Sequence, residues 1–478
     1  MVGGRAVVRL VVCSNSAPRL REAAGLSPRS PGGLVPLLVS LLDETQGGDW
    51  VCTVPAGSDD LADGPVRIPG DITLHPIRMP DRILEQHYLT IGVQLMLWLF
   101  HYLFDTSWEP SFDSAFREAW DGYEAVNRAY ANQLSKMDIG KNDQLLINDY
   151  HLFLVPELLS RQPAVSPGRM AYFHGLPWCE PDYYAILPPF VRERILTSLL
   201  RCDVVGFHDS RWATAFQRCC HRFLPDTMVG DHEVRFGGRS TRVSVAPFPL
   251  DTDALKRMAE EAKTADWRGR ISTLSGGRRV LARADRLDLW KNHLRGFAAY
   301  RSLLQSDPEL AGDWLFCAVT TTPSRTTERS REYQRRCEAL VAEINACYGS
   351  VDRPAVSLVY PDASSTRHCV TAALAEAHVT LVNPTIDGMN LVAKEALFVA
   401  HRAPLLLSVN AGAYEQLAPH VTPVQPYDVD GTAGVLAAAM ADASGGGSSM
   451  PGPPPQVTAL LAGAGSTGWL AQLMEGRA

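Results

Sequence analysis

The sequence predicts an α/β protein with two domains, and three observations lead to this prediction. Short β-branched or aliphatic runs alternate with longer segments of helical period, which is typical of parallel sheets flanked by helices. The chain has 478 residues, of which 46% are hydrophobic, so it is too long for one ordinary core and has enough apolar material for two. Pro247 and Pro249 close one strand run, and a helical pattern restarts directly after them.

The predicted strands occur in both halves of the chain, and each is a short apolar run. They lie at 8–13, 144–147, 169–173, 204–207, 243–246, 279–282, 314–319, 356–359, 379–382 and 405–407. The clearest helical patterns lie at 112–137, 189–200, 294–304, 330–347 and 391–398.

These elements divide the chain into an N-terminal domain over 1–250 and a C-terminal domain over 251–443. Residues 444–455 are rich in Gly, Ser and Pro and cannot bury a core, so we expect a linker there. Trp469, Leu470 and Leu473 then give residues 456–478 an apolar face, which predicts a terminal helix that packs back on the body.

Composition argues against several classes of protein. The formal net charge is −7 and there is no dense Lys/Arg tract, so we expect no nucleic-acid partner. The ten cysteines form no CxxC pair, and we expect reduced, buried thiols. The apolar run at 6–13 has the pattern of a strand and not of a signal, and the run at 91–104 is shorter than the roughly 20 residues that span a bilayer. We therefore expect a cytoplasmic protein without membrane contact.

The most specific motif is the segment from Asp387 to Glu395, which follows an apolar strand and opens a helix. Amide groups at a helix start, next to a glycine that allows close approach, favour an anionic phosphate. Asp387 can accept hydrogen bonds from sugar hydroxyls, and Glu395 can bind the hydroxyl pair of a ribose. An ordinary capped helix would show the same local pattern.

Three further motifs follow predicted strands. Arg286 and Lys291 place two cations in one βα loop, where they can neutralise a diphosphate, although basic loop residues are usually only solvated. Asp149 and His174 each end a strand of the first domain, with Gly175 next to the histidine, so we expect both to reach a ligand cleft. Gly32 and Gly33 precede a helix and can let amides approach a phosphate, which is a weak signal alone.

Five segments in this order make the chain resemble the trehalose-phosphate synthase family of retaining glycosyltransferases, which is glycosyltransferase family 20. They are DGMNLVAKE at 387–395, AWDGYEAVN at 119–127, NDYHL at 148–152, CDVVGFH at 202–208 and SVNAGAYEQL at 408–417. The resemblance covers nearly the whole chain. It implies the GT-B fold, in which two Rossmann-like domains face a central cleft.

The resemblance also implies a donor site for a nucleoside diphosphate sugar. In it, Arg286 and Lys291 hold the diphosphate, Glu395 binds the ribose, and Asp387 and His174 hold the sugar. The implied donor pocket is completed by Gly32, Gly33, Gly388, Met389 and the amides of Asn390, Leu391 and Val392.

On the acceptor side the resemblance implies Asp149 and Arg325, so that Asp149, His174, Arg286 and Lys291 form the catalytic set. No covalent nucleophile is expected, because in this family the leaving diphosphate is thought to help deprotonate the acceptor on the same face. Catalysis then depends on positioning and charge stabilisation. The motifs need neither a metal nor another cofactor, since these cations and a helix start can do the charge work.

The chain departs from the family pattern where the acceptor phosphate is held. The family's first strand usually ends Ser-Asn-Arg, whereas Ser16 stands here in place of the arginine. The aromatic pair of the same site is only approximately present as Tyr88 and Trp98, with a spacing that differs by one residue from that of the family. Ile386 replaces the usual arginine before the DGMN motif. We still assign Ser16, Tyr88, Trp98, Asp149 and Arg325 to the acceptor side.

Three functions remain open on this basis. The first is transfer of a hexosyl group, glucosyl by default, to a sugar phosphate, as in a trehalose-6-phosphate synthase. The second is a pseudo-glycosyltransferase that couples a nucleotide-activated cyclitol to an aminocyclitol phosphate. The third is a non-catalytic homologue that binds the nucleotide sugar. The sequence leaves open the nucleobase, the acceptor, the pathway and the oligomeric state, a homo-oligomer included.

Overall fold

A computed structural model describes residues 9–16, 19–21, 25–27, 33–57, 64–163, 165–321, 327–443 and 453–475. Two compact units make up the chain, and the α/β class with two parallel-sheet domains is confirmed. Unit 1 comprises Met1–Phe248 with Ser466–Ala478, and unit 2 comprises Pro249–Gly465. The division after Phe248 lies two residues before the end of the N-terminal domain predicted from the sequence.

Unit 1 has, in its described ranges, a ten-stranded sheet and a separate two-stranded hairpin. The strands are β1 Leu10–Cys13, β2 Arg19–Arg21, β3 Gly25–Ser27, β4 Gly48–Pro55, β5 Val66–Ile68, β6 Ile72–Met79, β7 Gln144–Asn148, β8 Arg169–His174, β9 Val204–Phe207, β10 Met228–Val229, β11 Glu233–Phe236 and β12 Arg239–Val245. The sheet order is β10-β11-β12-β9-β8-β7-β1-β4-β6-β5, and β2 pairs with β3. From β12 to β6 neighbouring strands are parallel, so their carboxyl ends share one edge.

Helices flank this sheet. They are α1 Leu34–Glu44, α2 Asp81–Leu84, a π-helix over Glu85–Leu97, α3 Trp98–Phe100, α4 Ser114–Leu134, a 3₁₀ turn over Tyr150–Leu152, α5 Val155–Leu159, α6 Pro181–Tyr184, α7 Pro189–Leu199 and α8 Ser210–Phe223.

Unit 2 has a fully parallel sheet of six described strands. They are β13 Arg279–Ala284, β14 Trp314–Val319, β15 Val356–Val359, β16 Val379–Val382, β17 Leu405–Ser408 and β18 Thr422–Val424, in the order β15-β14-β13-β16-β17-β18. The strands β13, β14, β16 and β17 are buried almost throughout, as expected for a sheet covered on both faces.

The helices that follow are α9 Thr252–Glu260, α10 Ala262–Ser275, a 3₁₀ turn over Leu289–Lys291, α11 His293–Ser306, α12 Leu310–Asp313, α13 Glu328–Tyr348, α14 Thr366–Ala375, α15 Leu391–Val399, α16 Ala413–Leu417, a 3₁₀ turn over Ala418–His420, α17 Val429–Asp442, α18 Pro455–Ala462 and α19 Gly465–Glu475. A search of the helices in the described ranges finds none that has both the length and the apolar character of a membrane span.

The end of the chain differs from the single terminal helix expected over 456–478. It forms two helices, α18 and α19, because Gly463 between them has φ of +52° and leaves the helical conformation. In α19, Trp469 is 2% exposed, contacts Phe173 and Phe248 edge-on, and donates its indole N–H to the carbonyl of Ala246 at 2.8 Å. The predicted apolar face of α19 therefore packs within unit 1, to which Ser466–Ala478 belong.

Two long strands of unit 1, β4 and β6, have no counterpart in the sequence prediction. β6 contains His75 and Pro76. A proline has no N–H to donate to a neighbouring strand, so its presence argues against a strand when only the sequence is considered. Asp49 of β4 is bonded by Arg9 at 2.6 Å and His75 at 2.5 Å, so polar residues that break the apolar run satisfy one another in the fold. Burial would raise the pKa of the Asp49 carboxyl, and these two partners hold it below its ordinary value.

Candidate functional site

The loops after β13 and β16 bring together the predicted donor residues of unit 2. These two strands are neighbours in the parallel sheet, so residues that follow them meet at its carboxyl edge. The loops are joined directly, since the amide of Thr385 donates to the carbonyl of Trp290 at 2.8 Å and Asn292 donates to the carbonyl of Asn383 at 2.9 Å. Residues about a hundred positions apart in the sequence thus form one site.

Lys291 is the centre of this site. Its Nζ lies 2.7 Å from Oδ2 of Asp387 and 3.3 Å from Oδ1 of Asp285, and its side chain is 14% exposed. Burial alone would lower the pKa of Lys291, but its attraction to Asp387 and Asp285 outweighs burial and raises that pKa. The side chain is therefore a fixed cation between two carboxylates.

Arg286 is more open and has its own partner. Its Nε lies 2.8 Å, and its Nη2 2.7 Å, from Oδ2 of Asp288, whose side chain is 8% exposed. The arginine side chain is 51% exposed, so the guanidinium has a buried anchor on one side and solvent on the other. Such an arrangement suits an arginine that binds an external anion.

The segment from Asp387 to Asn390 forms a tight turn before α15. Asn390 has φ of +70°, accepts from the amide of Ala393 at 3.2 Å, and donates to Asp387 Oδ2 at 3.1 Å. Leu391 and Val392 are the first two residues of α15. The amides at the start of a helix have no acceptor within that helix, because the residues four positions earlier lie outside it. Their dipoles favour a bound anion at this end.

The predicted interaction of Asp387 with sugar hydroxyls is compatible with this geometry but has competitors in the structure. Its side chain already accepts from both Lys291 and Asn390. A carboxylate has about four lone-pair positions, so some acceptor capacity remains after these two bonds. Gly388 and Met389 line the same turn, and Met389 is 4% exposed, so it contributes mainly its backbone.

Gly412 fixes the position of this turn. Its amide donates to the carbonyl of Asp387 at 3.0 Å, and the amide of Ala413 donates to Met389 at 2.8 Å. A Cβ on Gly412 would overlap the carbonyl oxygen of Gly388 and lie 2.8 Å from its carbonyl carbon. Only glycine permits this approach, so the DGMN turn needs Gly412 of the SVNAGAYEQL segment beside it.

We predict that Gly412→Ala displaces the turn and weakens donor binding about tenfold or more. The backbone of Gly412 is helical, so alanine adds steric overlap without unfavourable dihedral angles, and overpacking costs about 1–3 kcal/mol. Gly434→Ala is the matched control, because Gly434 also lies in a helix and has nothing within 4 Å of an added Cβ. Calorimetric titration with UDP measures the effect, and equal affinities for the two variants would contradict the prediction.

Glu395, the predicted ribose ligand, is the fifth residue of α15 and lies about one turn into that helix. Its side chain is 13% exposed and its Oε1 lies 3.8 Å from a guanidinium nitrogen of Arg367 at the start of α14. Burial raises the pKa of the Glu395 carboxyl, and Arg367 opposes that effect. Sequence analysis missed Arg367 because no motif marks the loop before α14.

In unit 1, Asp149 lies at the carboxyl end of β7 in a strained conformation. Its φ of +70° and ψ of 168° belong to a region that glycine almost alone adopts, and such strain is concentrated at functional sites. Oδ1 accepts from the amides of Tyr150 at 3.0 Å and Gly175 at 3.4 Å. Burial raises the pKa of the Asp149 carboxyl to about 6, although both amides oppose this.

The access expected for His174 is absent from the structure, where its ring is 0% exposed. Nδ1 is 3.3 Å from the hydroxyl of Tyr172, Nε2 is 3.3 Å from the carbonyl of Pro177, and Phe100 and Trp178 pack against the ring. Burial lowers the pKa of His174 to about 3, so the imidazole is neutral. The residue after it, Gly175, bonds to Asp149, which makes His174 a support for that loop in this structure.

The end of β1 shows what surrounds Ser16. Ser14 Oγ donates to the Ser16 carbonyl at 2.6 Å and accepts from the indole of Trp50 at 3.0 Å. Asn15 Oδ1 accepts from Thr53 at 3.1 Å. Ser16 itself is partly exposed, whereas Ser14 is buried. Hydrogen bonds therefore hold the Ser-Asn part of the motif in place, and Ser16 keeps a partly exposed position next to it.

Tyr88 and Trp98 lie at opposite ends of the helical segment that includes the π-helix. The ring of Tyr88 stacks on His151 at 5.4 Å, whereas Trp98 is 7% exposed and packs edge-on with Phe104. Trp98 therefore offers little surface to an acceptor.

The remaining predicted residues are only partly covered by the structure. Gly33 has φ of +91° and precedes α1, so a glycine is required there. Gly32 and Arg325 lie outside the described residues. Across the described ranges, no group of three or more His, Cys, Asp or Glu side chains is arranged to hold a metal ion.

Comparison with known proteins relates this chain to one family. The model of glycosyltransferase family 20 matches residues 10–445. A trehalose-6-phosphate synthase of Mycobacterium tuberculosis is 32% identical over 449 residues, covering 88% of this chain and 85% of that protein. An α,α-trehalose-phosphate synthase (UDP-forming) of Aspergillus niger is 29% identical over 438 residues, covering 88% and 87%. A solved trehalose-6-phosphate synthase, OtsA, is 26% identical with a TM-score of 0.77 and covers 90% of this chain and 91% of its own.

Proposed function

The chain belongs to glycosyltransferase family 20, and we propose that it transfers a glucosyl group from UDP-glucose to a sugar phosphate with retention of anomeric configuration. The UDP donor and the sugar-phosphate acceptor come from the names of its relatives, one a UDP-forming trehalose-phosphate synthase. The observation that carries the proposal is Lys291, held by two carboxylates beside the start of α15.

The donor half of the reaction uses unit 2. Lys291, Arg286 and the first amides of α15 bind the diphosphate and stabilise the charge that develops as the C1–oxygen bond breaks. Asp387 and Glu395 hold the sugar and the ribose. The acceptor oxygen forms the new bond to C1 on the same face, and its proton passes to an oxygen of the leaving diphosphate. No side-chain nucleophile takes part.

The acceptor half uses unit 1. The ionised carboxylate of Asp149 accepts a hydrogen bond from an acceptor hydroxyl and orients it, while His174 supports the loop that carries Gly175. Tyr88 and Ser16 complete the acceptor side. We include in the proposal that no metal is required and that the protein acts in the cytoplasm.

The first test is calorimetric titration with UDP-, GDP- and ADP-glucose in buffer containing EDTA, followed by assay of nucleotide release with a panel of sugar phosphates. We expect tight binding of UDP-glucose and faster UDP release with glucose 6-phosphate. Binding and slow hydrolysis of UDP-glucose without transfer to any sugar phosphate would instead favour the pseudo-glycosyltransferase. Binding without any transfer or hydrolysis would favour the non-catalytic homologue.

Ser16→Arg is expected to improve use of a phosphorylated acceptor. A guanidinium at this partly exposed position adds a charge-assisted bond to phosphate worth about 1.5–3 kcal/mol, or about one to two decades in KM. The measurement compares KM for glucose 6-phosphate with KM for glucose, and Ser16→Gln controls for side-chain length. An equal change for both acceptors would show that position 16 does not contact the phosphate.

A further inference from the structure

We propose that Asp285 is a positioning residue that fixes the ammonium group of Lys291, an inference that rests on the proposed role of Lys291 in binding the donor diphosphate. Asp285 Oδ1 is 3.3 Å and Asp387 Oδ2 is 2.7 Å from Nζ of Lys291. An ammonium group has three N–H donors. Asp387 accepts one of them, and Asp285 attracts the ammonium group as an ion pair, so the position of that group is set before the donor arrives.

Asp285 is itself held in place by a buried arginine, Arg283. Its side chain is 1% exposed, and Oδ2 lies 3.6 Å from Nη2 of Arg283, which is 0% exposed. Arg283 donates from Nη1 to Asn383 Oδ1 at 2.6 Å and from Nη2 to the carbonyl of Lys291. One buried guanidinium therefore contacts the carboxylate that positions the lysine, the main chain of the lysine and the loop after β16. This connects Asp285 to both loops of the site.

Stability gives a poor explanation for this buried acid. Neither carboxylate oxygen of Asp285 has a well-aligned hydrogen bond within the described residues, and its contacts to Lys291 and Arg283 are ion pairs longer than 3.2 Å. Burial raises the pKa of Asp285, and the two cations only oppose that effect. A buried ion pair of this kind is weak evidence for stability. Its placement beside the Lys291 ammonium, as the second carboxylate of the site, accounts for its presence.

A double-mutant cycle tests the proposal on the full chain, with UDP release from UDP-glucose as the activity. We expect Asp285→Asn alone to lower kcat about 10–100-fold, because misplaced catalytic groups cost of this order. Affinity for UDP should stay the same or increase, since a negative charge leaves the diphosphate site. In the Lys291→Ala background the same substitution should lower kcat less than about threefold. Asp288→Asn, which contacts Arg286, is the control and should keep its full effect in that background.

Equal falls in kcat for Asp285→Asn in both backgrounds would overturn the inference, as would a parallel loss of UDP affinity and kcat in the single variant. If Asp285→Asn does not fold, Asp285→Glu keeps the charge, moves the carboxylate by one methylene and enters the same cycle. Failure of the proposed function is a separate result: it requires Lys291→Ala to bind UDP as the wild type does.

Discussion

Lys291→Ala is expected to weaken UDP binding about 10–100-fold and to lower turnover of UDP-glucose by about two to three orders of magnitude. The lost charge-assisted bond to diphosphate accounts for about 1.5–3 kcal/mol of affinity. The larger loss of turnover follows because charge develops on the diphosphate as the bond to C1 breaks, and a fixed cation in a site shielded from water stabilises that charge most. Lys291 is such a cation, with a side chain that is 14% exposed.

The substitution also leaves Asp285 and Asp387 without their shared cation, so stability must be measured together with activity. Circular dichroism and thermal unfolding establish the folded fraction before calorimetry and kinetics are compared. Lys256→Ala is the matched control, because Lys256 is an exposed lysine of the same unit. Wild-type UDP affinity in folded Lys291→Ala would refute the assignment of the diphosphate site.

The strands that end at the site could be predicted from the sequence because each is a continuous apolar run. β9, β14 and β16 agree with prediction at both ends, since a strand buried on both faces needs no polar alternation, and the partly exposed edge strand β15 agrees as well. β4 and β6 could not be predicted, because Asp49, His75 and Pro76 break their patterns and are accommodated only by cross-strand contacts.

The candidate site divides in the same way. Lys291 and Asp387 could be named because motifs carry them, and the structure brings them within 2.7 Å. Arg283 and Asp285 could not, because a charged residue at a strand end usually faces solvent and only the fold shows that both are buried. The burial of His174 could not be predicted either, because Phe100, which packs against its ring, lies more than seventy positions away in the chain.

Asp149→Asn is expected to abolish most turnover while making the protein more stable at neutral pH. Burial raises the pKa of Asp149 to about 6, against about 3.9 in an unfolded chain. Between these values the folded protein binds more protons than the unfolded chain, so stability falls as pH rises through about 4 to 6. Above pH 6 the full cost of the buried charge is present, about 2–3 kcal/mol. Asparagine removes the charge and can still accept from the amides of Tyr150 and Gly175.

Thermal unfolding of wild type and Asp149→Asn should therefore diverge with pH. We expect the variant to unfold at a higher temperature at pH 7.5 and at the same temperature as wild type below about pH 4, where the carboxyl of Asp149 is protonated in both states. Wild-type kcat/KM should rise through about pH 6 as the carboxylate becomes able to accept from the acceptor hydroxyl, and the variant should lose that rise together with about 10²-fold in rate. A variant that is less stable than the wild type at pH 7.5 would contradict this prediction. It would mean that a cation pairs with the Asp149 carboxylate in the folded wild type and offsets the cost of its burial. The strained backbone at φ of +70° would then serve a structural ion pair rather than an acceptor site.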